Sequence, residues 1–375
     1  MWDNKNLLLI LLVLSLLLSL ITIFVVAEGG VPTVSARSSV LYEPISQEFI
    51  YEKNSSLRLP MASTTKIMTA LLAIERCDLN EEVTVPKEAT GIEGSSVYLK
   101  PNDVISVRDL VYSVLLQSAN DAATALALKI SGDINSFSNL MNERAKEIGL
   151  CDTSFENPHG LDSSNHYTTA RDLAVLASVA LKNDTFKRIC STYKYSFYIS
   201  DTQRTVVNHN KMLKLYKGAD GVKTGYTDKS GRCLVSSATR DGLTLIAVTL
   251  DAPDDWSDHK KLLDMGFRDY EAIKLSDITP TEFTISVSGG EKNFVKATLN
   301  STDYAFSRKK SDASLHSQIT VNDNVTAPIS KGAAVGKIVI YEGDSVYREY
   351  DLVTADEVKA QKQNINFTDF LKEHF

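Results

Sequence analysis

Cysteine is scarce in this 375-residue chain: Cys77, Cys151, Cys190 and Cys233 are scattered, and no two form a Cys-x-x-Cys pair. No histidine beside them completes a zinc pattern, so neither a zinc knuckle nor a dense disulfide framework is encoded. Cys233, in the apolar run Cys233-Leu234-Val235, reads as a buried free thiol. Clustered positive charge is also missing. The net charge is −7, and the one basic run, Arg308-Lys309-Lys310, reads as a solvated loop, which argues against nucleic acid as a partner. Internal repeats and low-complexity tracts are absent, so neither a solenoid nor a disordered array is expected.

What remains is an ordinary globular composition, 43% hydrophobic and 23% charged, in a chain long enough for two folded units. One long apolar run stands apart. Leu7 to Ala27 is 21 residues without a charge, preceded by Lys5. It is long enough to span a bilayer. Val25-Val26-Ala27 ahead of Glu28-Gly29-Gly30 also fits a cleavage site. Whether residues 1–30 are a signal peptide or a signal anchor, the rest of the chain is exported.

Val40-Leu41-Tyr42 and Phe49-Ile50-Tyr51 read as strands around a turn at Pro44. Met61 to Ile74 reads as a helix apolar on nearly every side, hence buried, which makes Lys66 anomalous. Capping boxes at Ser106-Val107-Arg108-Asp109 and Thr169-Ala170-Arg171-Asp172 predict helices to Leu116 and Leu181. Two more are predicted at Ala122–Ile130 and Ser136–Ile148. Tyr195-Phe197-Ile199 alternates, a strand-like stretch begins at Lys223, and Leu234–Ala238 with Leu245–Leu250 reads as a hairpin. A helix at Asp258–Gly266 closes this mixed α/β layer unit. From about Leu275, Phe283-Ile285-Val287 and Lys337–Tyr341 mark a small all-β domain. The end, with Phe367, Phe370, Leu371 and Phe375, has the spacing of a short amphipathic tail.

Three short motifs carry chemistry. In Ser63-Thr64-Thr65-Lys66 the amine reaches the hydroxyl at i, i+3. Burial and a second cation lower a lysine pKa, and a neutral amine can take a serine proton. Similar runs start at Ser191, Ser257 and Ser307, but only Ser63 opens a strongly apolar helix, behind Pro60-Met61-Ala62. Ser118-Ala119-Asn120 breaks two apolar helices, so its polar groups project into a cleft or simply cap a helix. Lys223-Thr224-Gly225 offers a cation, a hydroxyl and a close backbone approach, suited to a carboxylate and an oxyanion, or else a solvated edge. The order matters more than any member: Ser118 follows Ser63 by 55 residues, and Lys223 follows Ser118 by 105.

This triplet resembles that of the penicillin-interacting serine enzymes. Arg58 to Ala70, Asn157-Pro158-His159-Gly160-Leu161-Asp162 and Asp220 to Thr227 are similar to segments of the D-alanyl-D-alanine carboxypeptidase family, the low-molecular-weight penicillin-binding proteins. The likeness covers roughly residues 32–270 and, more weakly, the β-domain. It implies a β-lactamase/transpeptidase-like antiparallel sheet with a helical subdomain (31–272), a C-terminal β-domain (275–355) and the tail (356–375). It implies Ser63 as acylated nucleophile, Lys66 as base, Ser118 and Asn120 as proton relay and peptide holder, and Lys223 as electrostatic tuner. Thr224 would bind the terminal carboxylate, beside Gly225, with the oxyanion between the N–H groups of Ser63 and Tyr226. His209 stands where some relatives place an arginine, a weaker, pH-dependent substitute. His159 reads as a structural turn residue.

The implied activity is removal of the terminal D-alanine from peptidoglycan pentapeptide stems by an extracytoplasmic, membrane-associated or secreted enzyme. β-Lactams would be covalent inhibitors, and no metal or organic cofactor is implied. A class A β-lactamase is disfavoured because Ala119 replaces the usual Asp, and Gly160 stands where Glu-x-x-x-Asn would need its Asn. A degenerate wall-binding protein is disfavoured because every motif residue is present.

Overall fold

The computed structural model describes residues 30–361 apart from 301–304 and 310–314. The apolar run Leu7–Ala27, Lys310 and the aromatic residues of the tail lie outside the described residues. Among the described residues, no helix is long and apolar enough to cross a membrane. The chain divides into two compact units. One runs to Arg240 and includes Thr244–Arg268; the other comprises Asp241–Leu243 and the chain from Asp269.

In the first unit, β1 (Ser38–Glu43) and β2 (Glu48–Lys53) form the expected hairpin. α1 (Lys66–Arg76) comes next, then the short pair β3 (Glu82–Thr84) and β4 (Val104–Ser106). The helices α2 (Val107–Leu116), α3 (Asn120–Ser131), α4 (Ile134–Glu147), α5 (Ala170–Leu181) and α6 (Asp184–Ser191) follow. A hairpin of β5 (Lys194–Ile199) and β6 (Thr202–Val207) and the one-turn α7 (Met212–Leu215) lead to β7 (Ala219–Thr227), β8 (Gly231–Arg240), β9 (Leu243–Leu250) and α8 (Asp255–Asp269). The main sheet has the order β2-β1-β9-β8-β7.

Side chains alternate across a strand, so each central strand feeds two cores. Val40, Tyr42, Ile246 and Val248 join the apolar cluster formed with the helices. Leu41 and Leu245 face the other way, towards α8, where a Cβ on Gly266 would meet them at 2.8 and 2.5 Å. Glycine there lets the helix lie close on the sheet. α1 runs through the centre of the helical side, packed against α2, α3 and α5. Ser106 and Thr169 cap α2 and α5 as expected, each accepting from the N–H three residues on, at 3.1 Å.

Two expectations for this unit need correction. Ser63 is not on an α-helix: Ala62–Thr65 is a 3₁₀ turn, and α1 begins at Lys66. In a 3₁₀ turn residues i and i+3 eclipse, which aligns Ser63 with Lys66 more directly than an α-helix would. Lys223 lies mid-strand, because β7 already begins at Ala219. A further helix that the sequence pattern does not announce is α6, eight residues capped by Asn183, whose Oδ1 accepts from Thr185 and Phe186 N–H.

Among the described residues the second unit is all β from Tyr270 on, apart from one short 3₁₀ turn. β10 (Tyr270–Lys274), β11 (Glu282–Ser286), β12 (Phe294–Leu299), β13 (Ala305–Lys309), β14 (Leu315–Val321), β15 (Ala334–Glu342) and β16 (Ser345–Thr354) are its strands. Five form an antiparallel sheet, β11-β12-β16-β15-β14, and β10 pairs with β13, so Arg308 and Lys309, expected in a loop, lie on a strand. Ile338 and Ile340 of the β-branched run are fully buried.

Candidate active site

Ser63 sits on a turn held from several sides. Thr64 Oγ1 donates to Met61 O at 2.6 Å and Thr65 Oγ1 to Ala62 O at 2.8 Å. Since Thr65 has spent its proton, its second contact, 2.7 Å from His166 Nε2, requires the imidazole N–H to donate. His166 Nδ1 in turn accepts from Glu156 N–H at 2.9 Å. Burial holds His166 at a pKa of about 4, so the ring is neutral at neutral pH. Two glycines admit the neighbouring backbones. A Cβ on Gly160, at φ +90°, would stand 1.9 Å from Ala62 O, and one on Gly225 3.0 Å from Ser63 N.

Lys66 is fully buried. Its Nζ has three oxygen neighbours: Ser63 Oγ at 2.9 Å, Asn120 Oδ1 at 2.7 Å and the His159 carbonyl at 2.5 Å. Asn120 is oriented by its other end, where Nδ2 donates to Glu93 O at 2.5 Å. Burial, then the charge of Lys223, holds the Lys66 pKa well below that of a free lysine, against an opposing pull from Asp121. A neutral amine has two N–H bonds and one lone pair. A neutral amine that donates to Asn120 and His159 would have its lone pair left for the Ser63 hydroxyl.

Ser118 occupies the break between α2 and α3 at φ +61° and is 5% exposed. Lys223 is buried in β7 and donates to Thr224 O at 2.8 Å; burial brings its pKa to about 7. Ser63, Ser118, His209, Thr224, Gly225 and Tyr226 all line one cavity of about 740 Å³. The imidazole of His209 is pushed towards its neutral form by burial and by Lys223. The fold therefore brings the nine predicted site residues together, with Lys66, Asn120 and Lys223 behind the cavity wall. Among the described residues no cluster of His, Cys, Asp and Glu could hold a metal ion.

Residues 26–254 match the family model for D-alanyl-D-alanine carboxypeptidase, and residues 279–360 that for the C-terminal domain of penicillin-binding protein 5. The chain belongs to the D-alanyl-D-alanine carboxypeptidase family. It is 34% identical over 347 residues to D-alanyl-D-alanine carboxypeptidase DacF of Bacillus subtilis, covering 90% of this chain and 88% of that one. Penicillin binding protein 5 from Haemophilus influenzae superposes with a TM-score of 0.73 at 30% identity, covering 88% of this chain and all of the other. The Streptomyces K15 DD-transpeptidase covers 64% of this chain and all of its own, with a TM-score of 0.61 and 33% identity. This family member is thus a serine peptidase with a penicillin-binding-protein fold and an all-β C-terminal unit.

Sequence reasoning missed other parts of this carboxypeptidase-family site. His159 was read as a turn residue, yet its backbone carbonyl touches Lys66, and a carbonyl has no residue-type signal. The Glu93 carbonyl escaped for the same reason. His166, Tyr193, Lys211, Lys214, Arg232 and Trp256 carried no motif.

Proposed function

We propose that this protein removes the terminal D-alanine from D-Ala-D-Ala-ended peptidoglycan stems through an acyl-enzyme on Ser63, and that penicillins acylate the same serine. The reading rests above all on the buried, charge-depressed Lys66 amine 2.9 Å from Ser63 Oγ. Lys66 takes the hydroxyl proton as Oγ attacks the penultimate D-Ala carbonyl. The oxyanion is held by the N–H groups of Ser63 and Tyr226. Ser118 passes a proton to the departing D-Ala amine, and water then releases the shortened peptide. Thr224 and His209 face the terminal carboxylate.

Residues 31–272 are assigned as the catalytic domain and 275–355 as a β-domain that sets its distance from the membrane. Residues 1–30 direct export, and 356–375 supply a tail. The substrate and the leading apolar run both favour an extracytoplasmic, membrane-associated site of action.

The β-lactamase alternative fares poorly. The Glu156 carboxylate accepts from Ser163 Oγ and from Asn165 N–H, and Glu156 does not line the cavity. Bound penicillin should therefore leave slowly; rapid turnover by the purified protein would overturn the assignment. Likeness to a protein named a DD-transpeptidase favours a second reading, in which an amine replaces water as acceptor.

The test is D-Ala release from a D-Ala-D-Ala-ended peptide by the full chain, with and without an added amino-acid acceptor, beside Ser63→Ala. Release by the parent alone supports the assignment, and transfer to the acceptor in place of hydrolysis supports the second reading. No release by a folded parent sinks both.

A further inference from the structure

The cavity carries more positive charge than the chemistry at Ser63 uses. Lys211, Lys214 and Arg232 all line it, against one acid, Asp255. That acid is already committed: Arg232 Nε and Nη2 donate to Asp255 Oδ1 at 3.0 and 2.8 Å. Lys211 and Lys214 are exposed, and among the described residues neither pairs with a carboxylate. The Lys214 amine lies 3.7 Å from the centroid of the Tyr193 ring, a contact that localises it without cancelling its charge.

These lysines stand on a braced segment. Asn208 Nδ2 donates to Cys190 O and Thr192 O, Asn208 Oδ1 accepts from Asn210 N–H, and Asn210 Oδ1 accepts from Met212 N–H. Met212 is buried, so α7 is anchored from below while Lys211 and Lys214 face outward. In a chain of net charge −7, two cations with no acidic partner among the described residues form a concentrated positive site on a cavity rim.

We propose that Lys211 and Lys214 recognise the C-terminal carboxylate of the peptide, supplying the charge that Thr224 and His209 do not. The proposal rests on the carboxypeptidase reading of the site. Thr224 offers a hydroxyl, which bonds a carboxylate but does not neutralise it. His209 belongs to the same braced segment, and its imidazole is held towards neutrality. Lysine is a hydrated point charge on a flexible stem, so recognition of this kind tolerates variation in carboxylate position and is sensitive to salt.

The experiment compares full-length parent, Lys211→Gln, Lys214→Gln and the double variant on two substrates. One is diacetyl-L-lysyl-D-Ala-D-Ala, whose single carboxylate is C-terminal; the other is an uncharged N-acyl-D-alanine thioester. On the peptide each substitution should lower kcat/KM roughly five- to tenfold, mainly through KM. Thioester hydrolysis should stay unchanged, and raising salt to about 1 M should erase most of the difference between parent and double variant. Equal losses on both substrates, or none on either, overturn the proposal. A control peptide with a second carboxylate on the residue before D-Ala-D-Ala is run beside these two, and a loss confined to it also overturns the proposal, since the lysines would then read the stem rather than its end. A parent that hydrolyses the thioester but releases no D-Ala defeats the carboxypeptidase reading itself, an outcome visible without any lysine variant.

Discussion

Lys66 Nζ lies 2.5 Å from the backbone carbonyl of His159, 93 residues further along the chain, and this contact takes up one N–H of the amine. In the neutral state proposed for the base, the other N–H goes to Asn120 and the lone pair is left for Ser63, 2.9 Å away. Lys66→Arg should therefore lose at least about a thousandfold in D-Ala release and in penicillin acylation, because a guanidinium keeps its proton. Single-turnover acylation with a chromogenic penicillin checks this, and activity within tenfold of the parent would refute the base assignment.

Lys223 should set the pH at which the proposed base becomes available. Its charge lowers the Lys66 pKa, so Lys223→Ala should let the Lys66 pKa rise. The free amine then appears only at higher pH, and the acid limb of kcat/KM moves upward. Lys223→Arg keeps a cation and should leave that limb near its parental place. A pH–rate profile for the three proteins separates this from simple damage, which lowers the plateau without moving the limb.

The two glycines around Ser63 should respond differently to a methyl group. Gly160→Ala drives a Cβ to 1.9 Å from Ala62 O at a φ of +90°, so a loss of roughly 2–3 kcal/mol in stability is expected, along with activity. Gly225→Ala meets its neighbours at 3.0–3.1 Å and carries no positive φ. It should cost little stability and act mainly on kcat, by pushing β7 away from the nucleophile turn. Urea unfolding beside steady-state kinetics tests the contrast.

Acid should destabilise the fold through buried neutral histidines. His259 is fully buried between Ser236 Oγ and Thr249 Oγ1, and burial holds its pKa at about 3. Below about pH 6.5 the unfolded chain takes up a proton that the folded one refuses. Its stabilising contribution is thus complete above the unfolded pKa and falls progressively as pH drops towards 3, by on the order of 3–5 kcal/mol. His259→Asn should flatten that stretch of the stability–pH curve in urea titrations; an unchanged slope would assign the acid lability elsewhere.

Much of the architecture was legible because it depends on local chemistry. The boxes at Ser106 and Thr169 placed two helices, since a cap is a contact within four residues. The β1–β2 and β8–β9 hairpins followed from short apolar runs bounded by turn residues. Helix α6 was lost because only Phe186, Ile189 and Cys190 are buried in its eight residues, too short a pattern to stand out.

By itself the sequence determined which groups meet: Ser63, Lys66, Ser118, Asn120 and the Lys223 segment, in an order that points to the proposed chemistry. Tertiary structure alone decided how that chemistry is tuned. Backbone carbonyls from Glu93 and His159 set the orientation of Asn120 and the lysine lone pair, and burial beside Lys223 set its proton affinity. Carbonyls are identical at every position, and desolvation depends on what covers a group. Both are therefore properties of packing, and no residue letter records them.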